Sequence, residues 1–75
     1  MTSSQKLGHV LCAARQDLGI SQEELAERAS LHRTYISQLE RGLKSPTLDV
    51  IIGPAQGLAI TPLQFVSRVF DGGNL

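Results

Sequence analysis

The sequence predicts an all-α fold of five helices, and three observations support it. Apolar residues recur at intervals of three and four along most of the chain, the spacing that places side chains on one face of an α-helix. Residues that favour helix starts and helix ends separate these apolar stretches. The chain has 75 residues, which leaves room for one domain only. We therefore expect residues 1–75 to form a single compact domain.

The first predicted helix runs from about Gln5 to Leu18, and Gly19 follows it as a stop signal. Its apolar stripe consists of Leu7, Leu11, Ala14 and Leu18. This stripe is expected to face the core.

The second predicted helix is short and has a clear start. Ser21 and Glu24 have the spacing of a capping box, so the helix is expected to run from Gln22 to about Ala29. Its apolar residues are Leu25, Ala26 and Ala29.

The third predicted helix follows a tight turn at Ser30-Leu31-His32 and runs from about Arg33 to Arg41, where Gly42 ends it. The residues expected to face the core are Ile36, Leu39 and Leu43. Two short helices joined by a tight turn form a helix-turn-helix, which we place at about residues 21–42.

The fourth predicted helix begins after Thr47, which is expected to cap it. Its apolar residues are Leu48, Val50, Ile51 and Ile52. Pro54 has no N–H to donate to the carbonyl of Val50, so a kink or an early end is expected. The alternative is that the packing of the surrounding apolar side chains tolerates the proline; these are Ile51, Ile52, Leu58 and Ile60.

The fifth predicted helix covers about residues 62–70, with Thr61 as its cap and Pro62 in its first turn. Residues 71–75 are expected to be frayed. The helix is more apolar than its own packing requires, so we expect it to form a homodimer interface. The predicted interface residues are Leu63, Phe65, Val66, Val69 and Phe70.

The outward-facing side of the third helix carries polar and basic residues without a carboxylate, namely Arg33, Thr34, Ser37, Gln38 and Arg41. Arginine can bind both acceptors of guanine, glutamine can pair with adenine, and serine and threonine can serve either base. The acidic residues Glu23, Glu24 and Glu27 lie on the second helix instead. One interpretation is an ordinary solvated helix face. The preceding capped helix and turn favour a DNA-reading helix.

The motifs that carry a family resemblance lie between about Leu7 and Phe70. They are Leu7-Gly8, Leu11, Arg15, GISQEELA at 19–26, Tyr35-Ile36-Ser37, LERG at 39–42 and Ser45-Pro46-Thr47. The sequence resembles the lambda-repressor-like, or Xre-type, helix-turn-helix family of bacterial and phage transcription factors. Within that family, the segment from His32 to Ser37 looks most like the controller proteins of restriction-modification systems.

This resemblance implies a sequence-specific regulator of transcription that binds double-stranded DNA as a homodimer with two half-sites. The residues expected to read bases are Arg33, Thr34, Ser37 and Gln38. The residues expected to hold the DNA backbone are Gln22, Tyr35, Arg41 and Lys44. For Gln22 the alternative is plain capping and solvation, and for Tyr35 it is core packing alone. Arg15 and Glu40 look like a structural ion pair that ties the first helix to the third.

Overall charge does not indicate a nucleic-acid binder. The formal net charge is zero at pH 7 and the sequence pI is about 6.7. A pI above 9 would be typical of a nucleic-acid-binding domain. The distribution of charge matters more than its sum, and Arg33, Arg41 and Lys44 cluster.

The main alternative to a DNA-binding function is a protein-interaction module, such as an antitoxin that binds a toxin. Such a module would be expected to expose apolar anchors on the third helix.

Other function classes have little support in the sequence. There is no Ser-His-acid candidate, no glycine-rich phosphate loop and no metal-ligand cluster, so we expect neither an enzyme nor a cofactor or metal site. No small-molecule effector is evident. Cys12 is the single cysteine and cannot form an internal disulfide. No stretch approaches the roughly 20 apolar residues of a membrane span, and no leader is expected, so we expect a cytoplasmic protein.

Overall fold

Five α-helices joined by short turns make up the part of the chain that the structure describes, and the predicted all-α fold class is confirmed. The structure, a computed structural model, describes residues 2–45 and 48–73, without the side chains of residues 48, 49, 62 and 70–73. The helices are α1 (Ser3–Leu18), α2 (Gln22–Ala29), α3 (Arg33–Glu40), α4 (Leu48–Gly57) and α5 (Pro62–Gly73). None of the described helices is long and apolar enough to cross a membrane.

Helix α1 begins two residues earlier than predicted because Thr2 caps it. The hydroxyl of Thr2 accepts a hydrogen bond from the Gln5 amide at 3.1 Å, and the Gln5 side chain accepts one from the Thr2 amide at 2.8 Å. This reciprocal pair is a capping box. Gly19 ends the helix in the left-handed region, at φ +70°.

Helix α2 has the predicted bounds, but only half of its predicted capping box forms. The Ser21 hydroxyl accepts a hydrogen bond from the Glu24 amide at 3.0 Å. The Glu24 carboxylate lies 3.2 Å from the guanidinium of Arg28, one helical turn further on. An exposed acid four residues before an arginine forms such a pair readily, and Glu24 is placed to do so.

The core draws on all five helices. The largest fully buried side chains come from α1, α2, α3 and α5, and they are Leu11, Leu25, Ile36, Leu39 and Phe65. Ala55 of α4 is also fully buried. One shared core makes the described residues a single packing unit.

Two leucines predicted to face the core are exposed. Leu18 is 46% exposed and Leu43 is 58% exposed. Leu18 is the last residue of α1, where the chain turns away at Gly19. Leu43 follows Gly42, whose φ of +74° breaks the helical course, so the spacing from Leu39 no longer places it on the inner face.

The predicted early end of α4 at Pro54 is wrong, since the helix continues to Gly57. The residue before a proline in a helix clashes with the proline ring through its backbone N–H and its Cβ, and Gly53 removes the second of these clashes because it has no Cβ. Glycines also let α4 approach α2: a Cβ on Gly53 would lie 2.7 Å from the carbonyl oxygen of Ala29. Arg28 then donates a hydrogen bond to the Gly57 carbonyl at 3.2 Å. The predicted Thr47 cap lies outside the described residues.

Helix α5 starts as predicted and ends later. The Thr61 hydroxyl accepts from the Gln64 amide at 3.1 Å, and the Gln64 side chain accepts from the Thr61 amide at 2.9 Å. The helix continues to Gly73, through residues 71–73 that were expected to be frayed. Capping fixes the start, and helical backbone bonding carries α5 one turn past its apolar stripe.

The structure describes the side chains of four of the five predicted interface residues of α5, and these four divide into two groups. Phe65 and Val69 are buried in the core of the protomer, where they offer no exposed surface to a second subunit. Leu63 is 79% exposed and Val66 is half-buried. The side chain of Phe70 lies outside the described part. The apolar pattern alone could not separate these groups, because α5 packs on both α1 and α4.

Helix α1 packs directly against the backbone of α3 at Gly8, which has no side chain to separate them. A Cβ at position 8 would clash with the carbonyl oxygen of Leu39 and would lie 2.6 Å from that of Glu40. Real Cβ atoms do not come this close to backbone atoms. Gly8 therefore sets the distance between the two helices.

We expect Gly8→Ala to destabilise the fold by about 1 to 3 kcal/mol through overpacking. Helix propensity alone predicts the opposite sign, a gain of roughly 0.5 to 1 kcal/mol. Urea unfolding of the two proteins measures the difference. A more stable Gly8→Ala protein would contradict the close approach of α1 to α3.

Candidate nucleic-acid interface

The turn between α2 and α3 sets the direction of the third helix. Ser30 adopts the left-handed conformation at φ +56°, which ends α2. The amide of Leu31 then donates to the carbonyl of Ala26 at 2.9 Å. His32 occupies the N-cap of α3 without a side-chain capping bond. The turn is the predicted one, and α3 ends one residue earlier than predicted.

The outer face of α3 is a continuous polar surface. Arg33 and Thr34 are exposed in its first turn, and Ser37 and Gln38 follow one turn later, half-buried. Ile36 and Leu39 are buried on the opposite side of the helix. The structure thus brings together on one surface the four residues predicted to read bases.

The residues predicted to contact a DNA backbone lie around this outer face. Arg41 and Lys44 are exposed just beyond the end of α3. Gln22 is half-buried in the first turn of α2. Tyr35 is half-buried and packs against the core, so the packing role weighed for it from the sequence is present.

The expected ion pair between Arg15 and Glu40 is present, and it is bidentate. Arg15 Nε donates to Glu40 Oε2 at 2.7 Å, and Arg15 Nη2 donates to Glu40 Oε1 at 3.1 Å. The two side chains are only 13% and 5% exposed. Arg15 also donates from Nη1 to the carbonyl of Ile20 at 2.9 Å. The pair therefore joins α1, the turn before α2, and α3.

The pair shifts the pKa values of both of its side chains. Burial alone would raise the pKa of Glu40, but hydrogen bonds from Arg15 and Gln22, with the charge of Arg15, lower that pKa overall. The hydrogen bond to Glu40 is the main reason that the pKa of Arg15 is raised. Both groups are charged at neutral pH, and they compensate each other. The one acid of α3 is thereby turned away from the outer face.

The sequence did not predict the contact between Gln22 and Glu40. Gln22 Nε2 donates to Glu40 Oε1 at 3.0 Å. The indication was available, because Glu40 lies four residues after Ile36 and so on the core-facing flank of α3. An acid on a buried flank needs several donors. The spacing could not identify which donors they are.

An open cleft separates the first turn of α2 from the first turn of α3. Its lining residues are Arg15, Ser21, Gln22, Glu23 and Arg33. The cleft places a predicted backbone contact, Gln22, beside a predicted base reader, Arg33. Within the described residues, no group of three or more His, Cys, Asp and Glu side chains is placed to hold a metal ion.

Cys12 lies beside the ion pair and is held in its thiol form. Arg15 Nη2 lies 3.8 Å from Cys12 Sγ. Burial, followed by the negative charge of Glu40, raises the pKa of the Cys12 thiol. Because thiolates are the reactive form, this environment does not favour a reactive cysteine.

Comparison with known proteins identifies helix-turn-helix proteins and control proteins as similar to this chain. A family model described as Helix-turn-helix matches residues 13–65. The chain is 30% identical over 67 residues to the HTH-type transcriptional regulator y4dJ of Sinorhizobium fredii, covering 89% of this chain and 87% of that protein. It is 46% identical over 43 residues to the control protein C.BamHI of Bacillus amyloliquefaciens, covering 57% of this chain and 53% of that protein.

A solved structure is similar over nearly the whole chain. The restriction-modification controller protein C.Esp1396I, as a tetramer in complex with its natural 35-base-pair operator, matches with a TM-score of 0.86 and 28% sequence identity. The match covers 95% of this chain and 93% of that chain.

We expect Arg15→Met to cost about 3 to 5 kcal/mol at pH 7, because it leaves the Glu40 carboxylate buried without its partner. In the wild type the folded-state pKa of Glu40 lies below its ordinary value of 4.5. The stability from the pair is therefore fully present above about pH 4.5 and is lost as the pH falls through the folded-state pKa. The difference between the two proteins in urea unfolding should be large at pH 7. It should narrow as the pH falls, because without Arg15 burial raises the pKa of Glu40 and the variant takes up a proton there before the wild type does. An equal difference at every pH would contradict the assignment to the Glu40 charge.

Proposed function

The chain belongs to the helix-turn-helix family of transcriptional regulators, and from this premise we propose that it binds double-stranded DNA in a sequence-specific way to regulate transcription. The observation that carries the proposal is the outer face of α3, which exposes hydrogen-bonding and basic side chains while its one acid, Glu40, is turned inward. A DNA phosphate therefore meets no carboxylate of α3. The shared core of the described residues supports the proposal of one DNA-binding domain over residues 1–75, and no catalytic role is proposed.

The size of α3 suits the major groove. It has eight residues, and an α-helix with its side chains is about 10 to 12 Å in diameter. The major groove is about 12 Å wide and admits one α-helix. In this docking the N-terminal residues of the helix lie closest to the base edges. Arg33 and Thr34 occupy that position, and Ser37 and Gln38 follow on the same side.

Contacts on both sides of α3 would hold the DNA backbone. Gln22 lies at the start of α2, where backbone amides without helical partners can also approach a phosphate. Arg41 and Lys44 provide positive charge past the other end of α3. The hydroxyl of Tyr35 can reach outward while its ring packs on the core. With these few cations, binding depends on local charge and not on the net charge of zero.

We further propose a homodimer that binds two half-sites on one face of the duplex. Leu63 carries this proposal, because this leucine at the start of α5 is 79% exposed and so buries little of its apolar surface in the protomer. Half-buried Val66 lies one turn further along the same helix. Phe70 remains part of the proposed interface on the sequence pattern. Phe65 and Val69 support α5 from inside the protomer.

The regulated genes are proposed from the similarity to controller proteins. We propose that this chain controls restriction-modification genes in a bacterial cytoplasm, or acts as a small repressor of the same type. Adjacent methyltransferase and endonuclease genes would support the first role. An adjacent toxin gene would support an antitoxin instead.

A protein-binding role for α3 is less well supported by the surface. The large apolar side chains that are exposed among the described residues are Leu18, Leu43, Ile52 and Leu63, and none of them lies on α3. Protein-binding hot spots rely on aromatic or apolar anchors with arginine. The polar outer face of α3 favours DNA.

We expect Arg33 to read a guanine in each half-site, because its guanidinium can bind both guanine acceptors from the first turn of α3. Arg33→Ala should weaken binding by about 1 to 3 kcal/mol per half-site and should relax the preference at one base pair. Selection from a random-sequence duplex library with each protein measures both effects.

Arg41→Ala is the matched control, because it removes an exposed arginine at the other end of α3. It should weaken all duplexes alike. If Arg33→Ala lowers affinity but leaves the preference unchanged at every position, Arg33 is not a base reader. If the wild-type protein enriches no duplex, the proposed function itself is wrong.

We expect Leu63→Glu to give a folded monomer, because the side chain is exposed in the protomer and a negative charge suits the first turn of a helix. Sedimentation at tens of micromolar should show a dimer for the wild type and a monomer for the variant. Leu18→Lys is the control, since it changes another exposed leucine, at the end of α1, and should leave the dimer intact. If the Leu63→Glu protein is still a dimer, the interface does not depend on Leu63 and lies elsewhere.

A further inference from the structure

We propose that Glu40 is a positioning residue for DNA binding: its carboxylate holds the Gln22 side-chain amide so that the remaining N–H of Gln22 is directed to a DNA phosphate. This inference rests on the proposed function, and it adds a role for a residue that does not itself touch DNA. The juxtaposition that carries it is a buried carboxylate shared by Arg15 of α1 and Gln22 of α2.

The Glu40 carboxylate is fixed before it meets Gln22. Arg15 binds both of its oxygens, at 2.7 Å and 3.1 Å. Arg15 is itself held by the Ile20 carbonyl at 2.9 Å. The Glu40 side chain is 5% exposed, so water has little access to compete for its oxygens. Glu40 Oε1 then accepts the Gln22 bond at 3.0 Å.

This bond determines which way the Gln22 amide faces. A glutamine amide has two N–H donors on its nitrogen and an acceptor oxygen. The oxygen would be repelled by the carboxylate, so the nitrogen faces Glu40 and uses one of its two donors there. The second N–H remains for another acceptor. A phosphate only accepts hydrogen bonds, and this orientation presents it with a donor.

The location of Gln22 makes that donor available at the interface. Gln22 is the first residue of α2 and lines the open cleft together with Arg33. A free glutamine would lose rotamer freedom when it bound a phosphate. Gln22 has already lost this freedom in the folded protein. The bond to Glu40 therefore favours phosphate binding without any contact between Glu40 and DNA.

A purely structural role is the competing explanation, in which the bond only joins α2 to α3. The two explanations differ at one phosphate of the DNA. The probe is the duplex that the wild-type protein selects from a random library, made with a single uncharged methylphosphonate at each backbone position in turn. For wild-type protein, Kd should rise about tenfold or more when the phosphate bound by Gln22 is replaced, as expected for a hydrogen bond to a charged group.

Gln22→Ala should lose this sensitivity at that phosphate while it remains sensitive at the others. Glu40→Gln should lose it as well, although Gln22 is intact, because a neutral amide at position 40 can pair with Gln22 in either orientation. Glu24→Gln is the matched control: it removes a carboxylate of α2 that pairs with Arg28 and not with Gln22, and it should keep the wild-type pattern. Circular dichroism confirms that each variant is folded at the temperature used.

A second measurement uses the wild-type protein without DNA, in case Glu40→Gln does not fold. Nitrogen-15 relaxation of the Gln22 side-chain amide should give an order parameter near that of rigid backbone, about 0.85, and not below about 0.6. A freely moving Gln22 amide would overturn the inference. Retained sensitivity in folded Glu40→Gln would also overturn it and leave the proposed function intact. If the wild-type protein selects no duplex, both the inference about Glu40 and the proposed DNA-binding function are wrong.

Discussion

The ion pair between Arg15 and Glu40 is the interaction on which the rest of this structure depends. It joins α1 to α3 and, through the Ile20 carbonyl and Gln22, it also ties down the start of α2. A buried pair of this kind contributes little net stability compared with an apolar packing, because both charges lose water. What it provides here is arrangement. The negative charge of Glu40 is compensated by Arg15 inside the protein, and the outer face of α3 carries hydrogen-bonding and basic side chains.

Much of the fold could be predicted from the sequence where local chemistry decides. Ser21 and Thr61 fix the starts of α2 and α5 because their hydroxyls bond backbone amides a few residues away, and Gly19 ends α1 because it accepts a positive φ. The outer face of α3 was predictable for the same reason. Helical spacing placed Ile36 and Leu39 inside, and the residues between them had to lie outside.

The remaining features depend on contacts between distant segments, which spacing does not encode. Pro54 was expected to kink or end α4, but the helix continues to Gly57, and the missing Cβ of Gly53 lets it pack on α2. The sequence does not decide whether Phe65 lies on the surface or in the core, because that depends on how α5 packs against α1 and α4. The bond from Gln22 to Glu40 joins residues 18 positions apart. No local pattern specifies that partner.

The close contact of α4 with α2 has a consequence for the spacing of DNA sites. Gly53 brings α4 against the backbone of Ala29, and Gly57 packs against the buried side chain of Leu25. A contact packed this closely leaves the two helices little room to move relative to each other. Helix α4 also packs on α5, the proposed subunit contact. A dimer joined through α5 would hold its two recognition helices at a nearly fixed separation and angle. One added base pair between half-sites rotates them by about a tenth of a turn, and such a stiff connection gives the protein little means of following that rotation.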